Sequence, residues 1–221
     1  MTGHVYRDRR DAGRVLATSL RAHAGRPGLL VLALPRGGVP VAAEVAEALH
    51  APLDVFVVRK LGMPGHEEYA MGAIASGGVR VLDEQTVHRL GLSDDEVDAV
   101  TRAEQRELDR RERLYRDDRP MTDLRGRTVI LVDDGLATGS TMLAAVRAVR
   151  AQRPARIVVA VPTAAADTCD MLRDEADEVI CADTPDAFRA VSLLYDDFSQ
   201  TSDEEVRQLL QQAWHATPHH A

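Results

Sequence analysis

The stretch from Val129 to Met142 constrains the fold of this chain more than any other segment. It begins with four branched aliphatic residues, continues with the adjacent acids Asp133 and Asp134, and then enters a loop of small residues. A short continuous apolar run is typical of a strand that is covered on both faces, as in a parallel sheet. An alanine-rich helical segment reaches Ala151, so the sequence predicts a strand–loop–helix unit of an α/β fold.

The loop from Gly135 to Thr141 has the composition of an anion-binding loop. At the start of a helix the backbone N–H groups lack intrahelical partners, and the helix dipole favours negative charge. Gly139 allows the backbone to approach a ligand closely, while Thr138 and Ser140 supply hydroxyl groups. An ordinary strand–turn–helix with Asp-Gly in its turn is the alternative interpretation.

A second strand–loop–helix unit precedes this one. The apolar run from Leu29 to Leu34 leads into Pro35-Arg36-Gly37-Gly38, and a helix is predicted from Val41 to His50. A guanidinium can bind a pair of anionic oxygens, and adjacent glycines open the backbone to the same ligand. A solvent-facing arginine in a glycine-rich turn is the alternative interpretation.

The next predicted strand, from Leu53 to Val58, runs directly into Arg59 and Lys60. In open parallel sheets ligands bind at the carboxyl ends of the strands, where this cationic pair is expected. Lys60 is the single lysine among 27 basic residues, so it is either a chance remainder or a position that needs a compact ammonium. Residues 61–69 are predicted to form a mobile surface loop, because glycine and proline interrupt their periodicity.

The other elements are predicted from periodicity and capping signals. Helices are expected at 8–24, 83–90, 93–116, 164–173 and 202–214, a hairpin at 70–82, and strands at 156–161 and 177–182. The long helix at 93–116 carries acids four residues before arginines, which is typical of a solvated face. Its thin apolar stripe docks on the body of the domain or on a partner chain, so a homodimer is left open and no role is assigned to this helix.

Composition excludes several classes of protein. A net charge of −8 argues against a nucleic-acid binder, and no run approaches the roughly 20 apolar residues of a membrane span. The N-terminus lacks the apolar region of a signal peptide. Cys169 and Cys181 lack metal-site spacing and are predicted to be free, buried residues of a protein in the reducing cytoplasm. We therefore expect a cytoplasmic protein without nucleic-acid or membrane partners.

A chain of 221 residues most simply forms one domain. Its core is expected at about 29–182, with accessory elements contributed by 1–28 and 183–216. The second accessory segment contains Phe188, Tyr195 and Phe198. These side chains either form a hood that stacks an aromatic base or pack in the core.

Together these motifs resemble those of type I phosphoribosyltransferases. Residues 129–142 resemble the family's phosphoribosyl-pyrophosphate motif, and the loop at 36–38 resembles its pyrophosphate loop. The pair at 59–60 and the segment after it resemble its flexible catalytic loop, with matching order and context over about 29–163. The resemblance implies the family's Rossmann-like parallel sheet flanked by helices, with a small hood. The family often has a strained or cis peptide bond in the pyrophosphate loop.

The resemblance implies a Mg²⁺-dependent enzyme that transfers the phosphoribosyl group of 5-phosphoribosyl 1-pyrophosphate to a nitrogenous base or related acceptor and releases pyrophosphate. The implied donor-binding residues are Arg36, Gly37, Gly38, Asp133, Asp134, Gly135, Ala137, Thr138, Gly139, Ser140 and Thr141. Asp133 and Asp134 would accept hydrogen bonds from the ribose hydroxyls and lie near Mg²⁺ through water. Lys60, with Arg36 and Arg59, is the implied catalytic group and would stabilise charge on the leaving pyrophosphate.

The acceptor is left open by the sequence. Hypoxanthine–guanine enzymes of the family carry an acid where this chain has Ala137, which weakens a 6-oxopurine interpretation. A regulatory or sensor protein that binds phosphoribosyl pyrophosphate or a nucleotide without turnover is the alternative, because one fold can serve both roles. A P-loop NTPase is disfavoured, since Gly135 to Ser140 lacks the Gly-Lys-Ser/Thr ending.

Overall fold

The computed structural model describes residues 4–64, 66–117 and 119–216, so the tail at 217–221 lies outside the described residues. Its strands are β1 (Leu29–Ala33), β2 (Leu53–Val55), β3 (Val58–Met63), β4 (His66–Ala75), β5 (Val79–Leu82), β6 (Thr128–Val132), β7 (Arg156–Thr163) and β8 (Glu178–Asp183). Its helices are α1 (Arg9–Ser19), α2 (Gly38–Leu49), α3 (Glu84–Arg89), α4 (Asp94–Arg116), α5 (Ser140–Ala151), α6 (Ala166–Arg173) and α7 (Asp203–Ala216). Five strands form one sheet in the order β2-β1-β6-β7-β8, and each described pairing in it is parallel. The predicted α/β class with a parallel sheet flanked by helices is confirmed.

The two faces of the parallel sheet each bury a separate apolar core. Val31 and Ala33 of β1 belong to the core that includes α1 and α2 residues, whereas Leu30 and Leu32 belong to the core that includes α5 residues. Successive side chains of a strand point to opposite faces, so a strand between two layers must be apolar throughout. This is why β1 and β6 appear in the sequence as uninterrupted aliphatic runs. Because these strands are parallel, their carboxyl ends meet at one edge.

The predicted strand from Leu53 to Val58 was wrong in extent. β2 ends at Val55, and β3 begins at Val58 in a second, antiparallel sheet of order β3-β4-β5. Phe56 and Val57 between the strands are buried. The apolar run therefore continues without interruption while the chain passes from one sheet to the other. Arg59 and Lys60 therefore lie within the antiparallel sheet and not at the carboxyl end of a parallel strand.

The predicted mobile loop at 61–69 was also wrong. Residues 61–63 complete β3 and residues 66–69 begin β4, while residue 65 lies outside the described residues. The β3–β4 pairing shifts register between Leu61 and Gly62 and again between Gly62 and Met63. Backbone hydrogen bonds define a strand, and a shifted register removes the side-chain alternation by which a strand is identified in a sequence.

The helices largely follow their capping signals. Ser93 and Glu96 form the predicted capping box, in which the Ser93 backbone N–H donates to Glu96 Oε2 at 2.9 Å. The hydroxyl of Ser202 accepts from the Glu205 backbone N–H at 3.0 Å ahead of α7. Helix α2 begins at Gly38, three residues earlier than predicted, so the glycine loop and the helix N-terminus are one structure.

The cysteines and the helices bear on two expectations about the environment of the protein. The prediction of free cysteines was wrong, because Cys169 of α6 and Cys181 of β8 form a disulfide. Packing of α6 against β8 brings them together, and the cysteines therefore give no support for a reducing compartment. In the described ranges, no helix has both the length and the apolar character that a membrane crossing requires.

A buried ion pair anchors the end of α4 to the parallel sheet. Arg116 and Asp54 each expose only 4% of their side chains, and Arg116 Nε donates to Asp54 Oδ1 at 2.9 Å. Arg116 also donates to Glu112 and to the Val55 carbonyl, while Thr122 donates to the second Asp54 oxygen. Such a pair contributes little compared with apolar packing, but removal of one partner leaves a buried charge without compensation.

We expect Arg116→Ala to lower the free energy of unfolding by about 3–5 kcal/mol, because Asp54 would lose its main charged partner. Arg113→Ala, an exposed arginine of the same helix, is the matched control and should change stability by less than about 0.5 kcal/mol. Urea unfolding monitored by circular dichroism measures both values. Equal effects of the two substitutions would show that the pair does not anchor α4.

Candidate functional site

The glycine loop after β1 lies directly against the two acids after β6. Ala33 pairs with Val132, so the residues that follow both strands leave the sheet side by side. A Cβ atom at Gly37 would lie 2.0 Å from Asp134 Oδ2, and one at Gly38 would lie 2.7 Å from the Val132 carbonyl oxygen. No larger residue fits at either position without a shift of the acids, so the first two sequence motifs form one site.

Arg36 lies at the rim of this site. The Pro35–Arg36 peptide bond is cis, as the resemblance implied. Arg36 Nη1 is 3.8 Å from Asp203 Oδ1 at the start of α7, and about a third of its side chain is exposed. The Tyr115 hydroxyl donates to the same Asp203 oxygen at 2.7 Å, and burial together with Asp203 raises the pKa of Tyr115 to about 12. Arg36 is therefore oriented by α7 and α4 and stays accessible to an anionic ligand.

The small-residue loop after the acids is held from behind by β7 and α6. The Leu136 backbone N–H donates to the Thr163 carbonyl at 3.0 Å, and Thr168 Oγ1 donates to the Ala137 carbonyl at 2.7 Å. Gly139 has a φ of +68°, and a Cβ there would lie 2.6 Å from Thr168 Cγ2, so both conformation and space require glycine. Helix α5 begins at the next residue, and the first backbone N–H groups of a helix are suited to bind an anion.

Hydroxyl groups are exposed on the open side of this loop. Thr138 Oγ1 and Ser140 Oγ lie 3.2 Å apart, and Thr141 follows in the first turn of α5. Lys60 Nζ donates to Ser140 Oγ at 2.7 Å, across 80 residues of sequence. The single lysine therefore reaches the small-residue loop from the antiparallel sheet, and the third sequence motif joins the other two.

Arg59 points away from this site. Neighbouring residues of a strand face opposite sides, so Lys60 and Arg59 cannot both face the loop. Arg59 Nε and Nη2 lie 2.7 and 2.6 Å from one oxygen of Glu104 on α4. The structure therefore gives the long helix a contact with the lysine-bearing strand, and a catalytic role of Arg59 stays a prediction.

The two acids lie in a poorly solvated place, which disfavours their ionised forms. Asp133 Oδ1 accepts the Asp134 backbone N–H at 2.9 Å. Burial and the charge of Asp134 raise the pKa of Asp133 well above its ordinary value. Burial also raises the pKa of Asp134, against the opposing effect of Arg9. Sugar hydroxyls that donate to these oxygens, or a hydrated cation nearby, would relieve this unfavourable charge.

Direct chelation of a metal by a cluster of side chains does not fit these residues. Within the described part of the chain, no group of three or more His, Cys, Asp and Glu side chains is arranged to hold an ion. Mg²⁺ retains much of its hydration shell and is commonly held by one or two carboxylates together with substrate phosphates. The Asp133–Asp134 pair supplies two carboxylates of that kind, and contact with Mg²⁺ through water stays a prediction.

Sequence reasoning missed Arg9. Its Nε donates to Asp134 Oδ2 at 2.8 Å, and the two side chains expose only 11% and 15% of their surface. Arg9 is one of several arginines in a charged N-terminal helix, so no local signal distinguishes it. A separation of 125 residues between the partners makes the contact a property of the tertiary structure.

The aromatic residues of the last accessory segment pack mainly in a small core. Tyr195 is 6% exposed and has its ring 5.5 Å from Tyr6 and 5.0 Å from Phe198. The Tyr195 hydroxyl donates to the Asp134 carbonyl at 2.5 Å, and burial raises the pKa of that hydroxyl. Of the two alternatives for this segment, core packing holds for Tyr195, while Phe188 and Phe198 are half-buried.

Comparisons with known proteins show which family the sequence of this chain resembles. The model of the phosphoribosyl transferase domain matches residues 6–198. Two relatives from strains of Mycobacterium tuberculosis, with the names "Putative phosphoribosyl transferase" Rv0571c and MT0597, are each 47% identical over 209 residues, or 95% of this chain. The chain spans only 47% of the length of these relatives.

A solved structure covers nearly the same length. The crystal structure of TT1426 from Thermus thermophilus is 41% identical in sequence and superimposes with a TM-score of 0.84. The match includes 94% of this chain and 98% of that chain. The fold described above, with its two sheets and its long helix, is therefore that of a known structure.

We expect Asp133→Asn to stabilise the ligand-free protein by about 1 kcal/mol at pH 8, a size typical of removing an unfavourable charge. The raised pKa of Asp133 means that its ionised form opposes folding. The destabilisation by ionised Asp133 is absent below the ordinary pKa of 3.8, and it grows as pH rises toward the raised pKa of the folded state. The increase in the free energy of unfolding caused by Asp133→Asn should therefore be larger at pH 8 than at pH 5.

Asp170→Asn is the control for this prediction, because Asp170 is an exposed carboxylate of α6 that pairs with the exposed Arg173. Thermal unfolding at the two pH values measures the difference. A loss of stability in Asp133→Asn at pH 8 would contradict the electrostatic description of the acids.

Proposed function

The chain belongs to the phosphoribosyl transferase family, and we propose that it transfers a phosphoribosyl group from 5-phosphoribosyl 1-pyrophosphate to a nitrogenous acceptor and releases pyrophosphate. The contact between Lys60 Nζ and Ser140 Oγ carries this proposal. It brings the one lysine of the chain to the loop whose composition predicts phosphate binding. The activity is proposed for the site of this chain, since its Mycobacterium tuberculosis relatives are about twice as long.

The donor would lie along the edge where β1 and β6 end. Its 5′-phosphate would meet the N-terminus of α5 and the exposed hydroxyls of Thr138 and Ser140, because backbone N–H groups and hydroxyls are the donors present there. Its ribose hydroxyls would donate to Asp133 and Asp134. Its pyrophosphate would lie between the Arg36 loop and Lys60, so that Arg36 and Lys60 would place positive charge on two sides of it.

The reaction breaks the bond between ribose C1′ and the pyrophosphate oxygen, and the bonding electron pair leaves with pyrophosphate. An acceptor nitrogen forms the new bond to C1′, and an oxocarbenium-like transition state lies between these events. Lys60 and Arg36 would stabilise the charge that grows on the leaving oxygen, while the acids hold the sugar in place. Mg²⁺, when bound, would supply further positive charge near the pyrophosphate and the acids.

The structure limits what Arg59 and Ala137 can contribute. Arg59 would have to leave Glu104 before its guanidinium could contact pyrophosphate. We propose that Arg59 instead holds β3 against α4 and so sets the position of Lys60. Ala137 supplies no acid to the acceptor, so the proton of the attacking nitrogen must leave to solvent or to pyrophosphate. The identity of the acceptor is not implied by these residues.

We expect Lys60→Ala to lower kcat for pyrophosphate release by about 100-fold or more, because it removes the cation that is proposed to stabilise charge on the leaving group. The assay incubates the protein with phosphoribosyl pyrophosphate, Mg²⁺ and a panel of bases, and measures pyrophosphate. Arg80→Ala, an exposed cation of the same antiparallel sheet, is the control and should keep the rate. Donor binding without release for every base of the panel would instead favour the sensor alternative.

The double substitution Asp133→Asn with Asp134→Asn should abolish donor binding, because amides are poorer acceptors for ribose hydroxyls and cannot attract Mg²⁺. Isothermal titration with phosphoribosyl pyrophosphate and Mg²⁺ measures the affinity, and circular dichroism checks the fold. If the double variant kept the wild-type affinity, the site would have been assigned to the wrong residues.

A further inference from the structure

We propose that Arg9 is a positioning residue of the donor site, and that it acts by fixing the carboxylate of Asp134. This inference rests on the proposed function, because it assumes that Asp134 binds the ribose of the donor. Arg9 lies outside all three sequence motifs, at the first residue of α1. Nothing in its local sequence assigns it to a phosphoribosyl site.

Three interactions fix the Arg9 guanidinium. Its Nε donates to Asp134 Oδ2 at 2.8 Å, its Nη1 donates to the Ser199 carbonyl at 2.6 Å, and its central carbon lies 4.0 Å from the centre of the Phe198 ring. The ion pair, the backbone acceptor and the aromatic face engage different parts of the same guanidinium. The guanidinium is therefore held in one orientation, and with it the oxygen that it contacts.

Asp134 is held at its backbone as well as at its side chain. The Tyr195 hydroxyl donates to the Asp134 carbonyl at 2.5 Å, and the Tyr195 ring packs against Phe198. Arg9, Tyr195 and Phe198 therefore form one connected group, which we name the Asp134 clamp. It joins the N-terminal helix and the segment at 195–199 to a single residue of the site.

The clamp places a cation beside one of two adjacent acids. Asp133 and Asp134 are consecutive, share a poorly solvated site and would repel each other without a nearby cation. Of the two acids, Asp134 forms the direct ion pair with Arg9, at 2.8 Å. Asp134 would then serve as a fixed acceptor for a ribose hydroxyl, whereas the position of Asp133 would not depend on Arg9.

This division predicts a ligand-specific effect. A ligand with ribose hydroxyls uses Asp134, and a ligand without them does not. Loss of Arg9 should therefore weaken phosphoribosyl pyrophosphate and ribose 5-phosphate, while Mg²⁺-pyrophosphate should bind as before. A general structural defect would weaken all three ligands together.

We expect Arg9→Gln to weaken the binding of phosphoribosyl pyrophosphate and ribose 5-phosphate about tenfold in isothermal titration, with unchanged binding of Mg²⁺-pyrophosphate. Arg10→Gln is the matched control, because Arg10 is its neighbour on α1, is half exposed and pairs with Glu44 at 3.5 Å. It should leave all three affinities unchanged. Arg9→Lys keeps the charge without the planar fork and should recover part of the loss.

A double-mutant cycle completes the test. If Arg9 acts through Asp134, Arg9→Gln combined with Asp134→Asn should bind ribose 5-phosphate no more weakly than Asp134→Asn alone. If Arg9→Gln does not fold, Arg9→Lys is compared with the control Arg10→Lys. We then expect Arg9→Lys to bind phosphoribosyl pyrophosphate and ribose 5-phosphate about threefold more weakly, with unchanged binding of Mg²⁺-pyrophosphate.

The outcomes separate the two proposals. Equal affinities of Arg9→Gln and wild type for ribose 5-phosphate would overturn the role of Arg9 and leave the proposed function intact. An equal loss for all three ligands would also overturn it, because the effect would then be general. A wild-type protein that binds none of them would overturn the proposed function, and the inference with it.

Discussion

The side-by-side burial of β1 and β6 is the constraint on which the rest of the structure depends. Both strands are covered on two faces, so their pairing is enforced by the apolar cores on each side of the sheet. Parallel pairing places the ends of both strands at one edge, and the glycine loop then lies against the two acids. Any residue larger than glycine at position 37 or 38 would displace those acids. The functional geometry is therefore a consequence of core packing.

The site concentrates charge where the fold would otherwise avoid it. Asp133 and Asp134 are poorly solvated, and their raised pKa values show that the ligand-free fold disfavours their ionised forms. Cations around them are arranged unequally: Arg9 pairs with Asp134, whereas Lys60 and Arg36 lie where the phosphates of a donor are proposed. An unfavourable charge of this kind is useful in a binding site, since a ligand relieves it.

How far the site could be predicted depended on the range of the interactions. The anion loop and the acids were identified because a strand, a loop and a helix start are adjacent in sequence. The strand change after Val55 was missed because Phe56 and Val57 extend the apolar run into another sheet. Residues 61–69 appeared as a loop because a shifted register hides alternation. The disulfide was missed because only the packing of α6 on β8 brings its cysteines together.

The sequence by itself determined the α/β class, the local anion-binding loop and the residue types that a phosphoribosyl site needs. These features depend on neighbouring residues, whose propensities and patterns are local. Tertiary structure alone decided which cations lie against the acids and the small-residue loop. Strand alternation turned Lys60 toward Ser140 and Arg59 toward Glu104, and the docking of α1 brought Arg9 to Asp134. Contacts between residues that are 45, 80 or 125 positions apart follow from how layers pack, which no short segment of sequence contains.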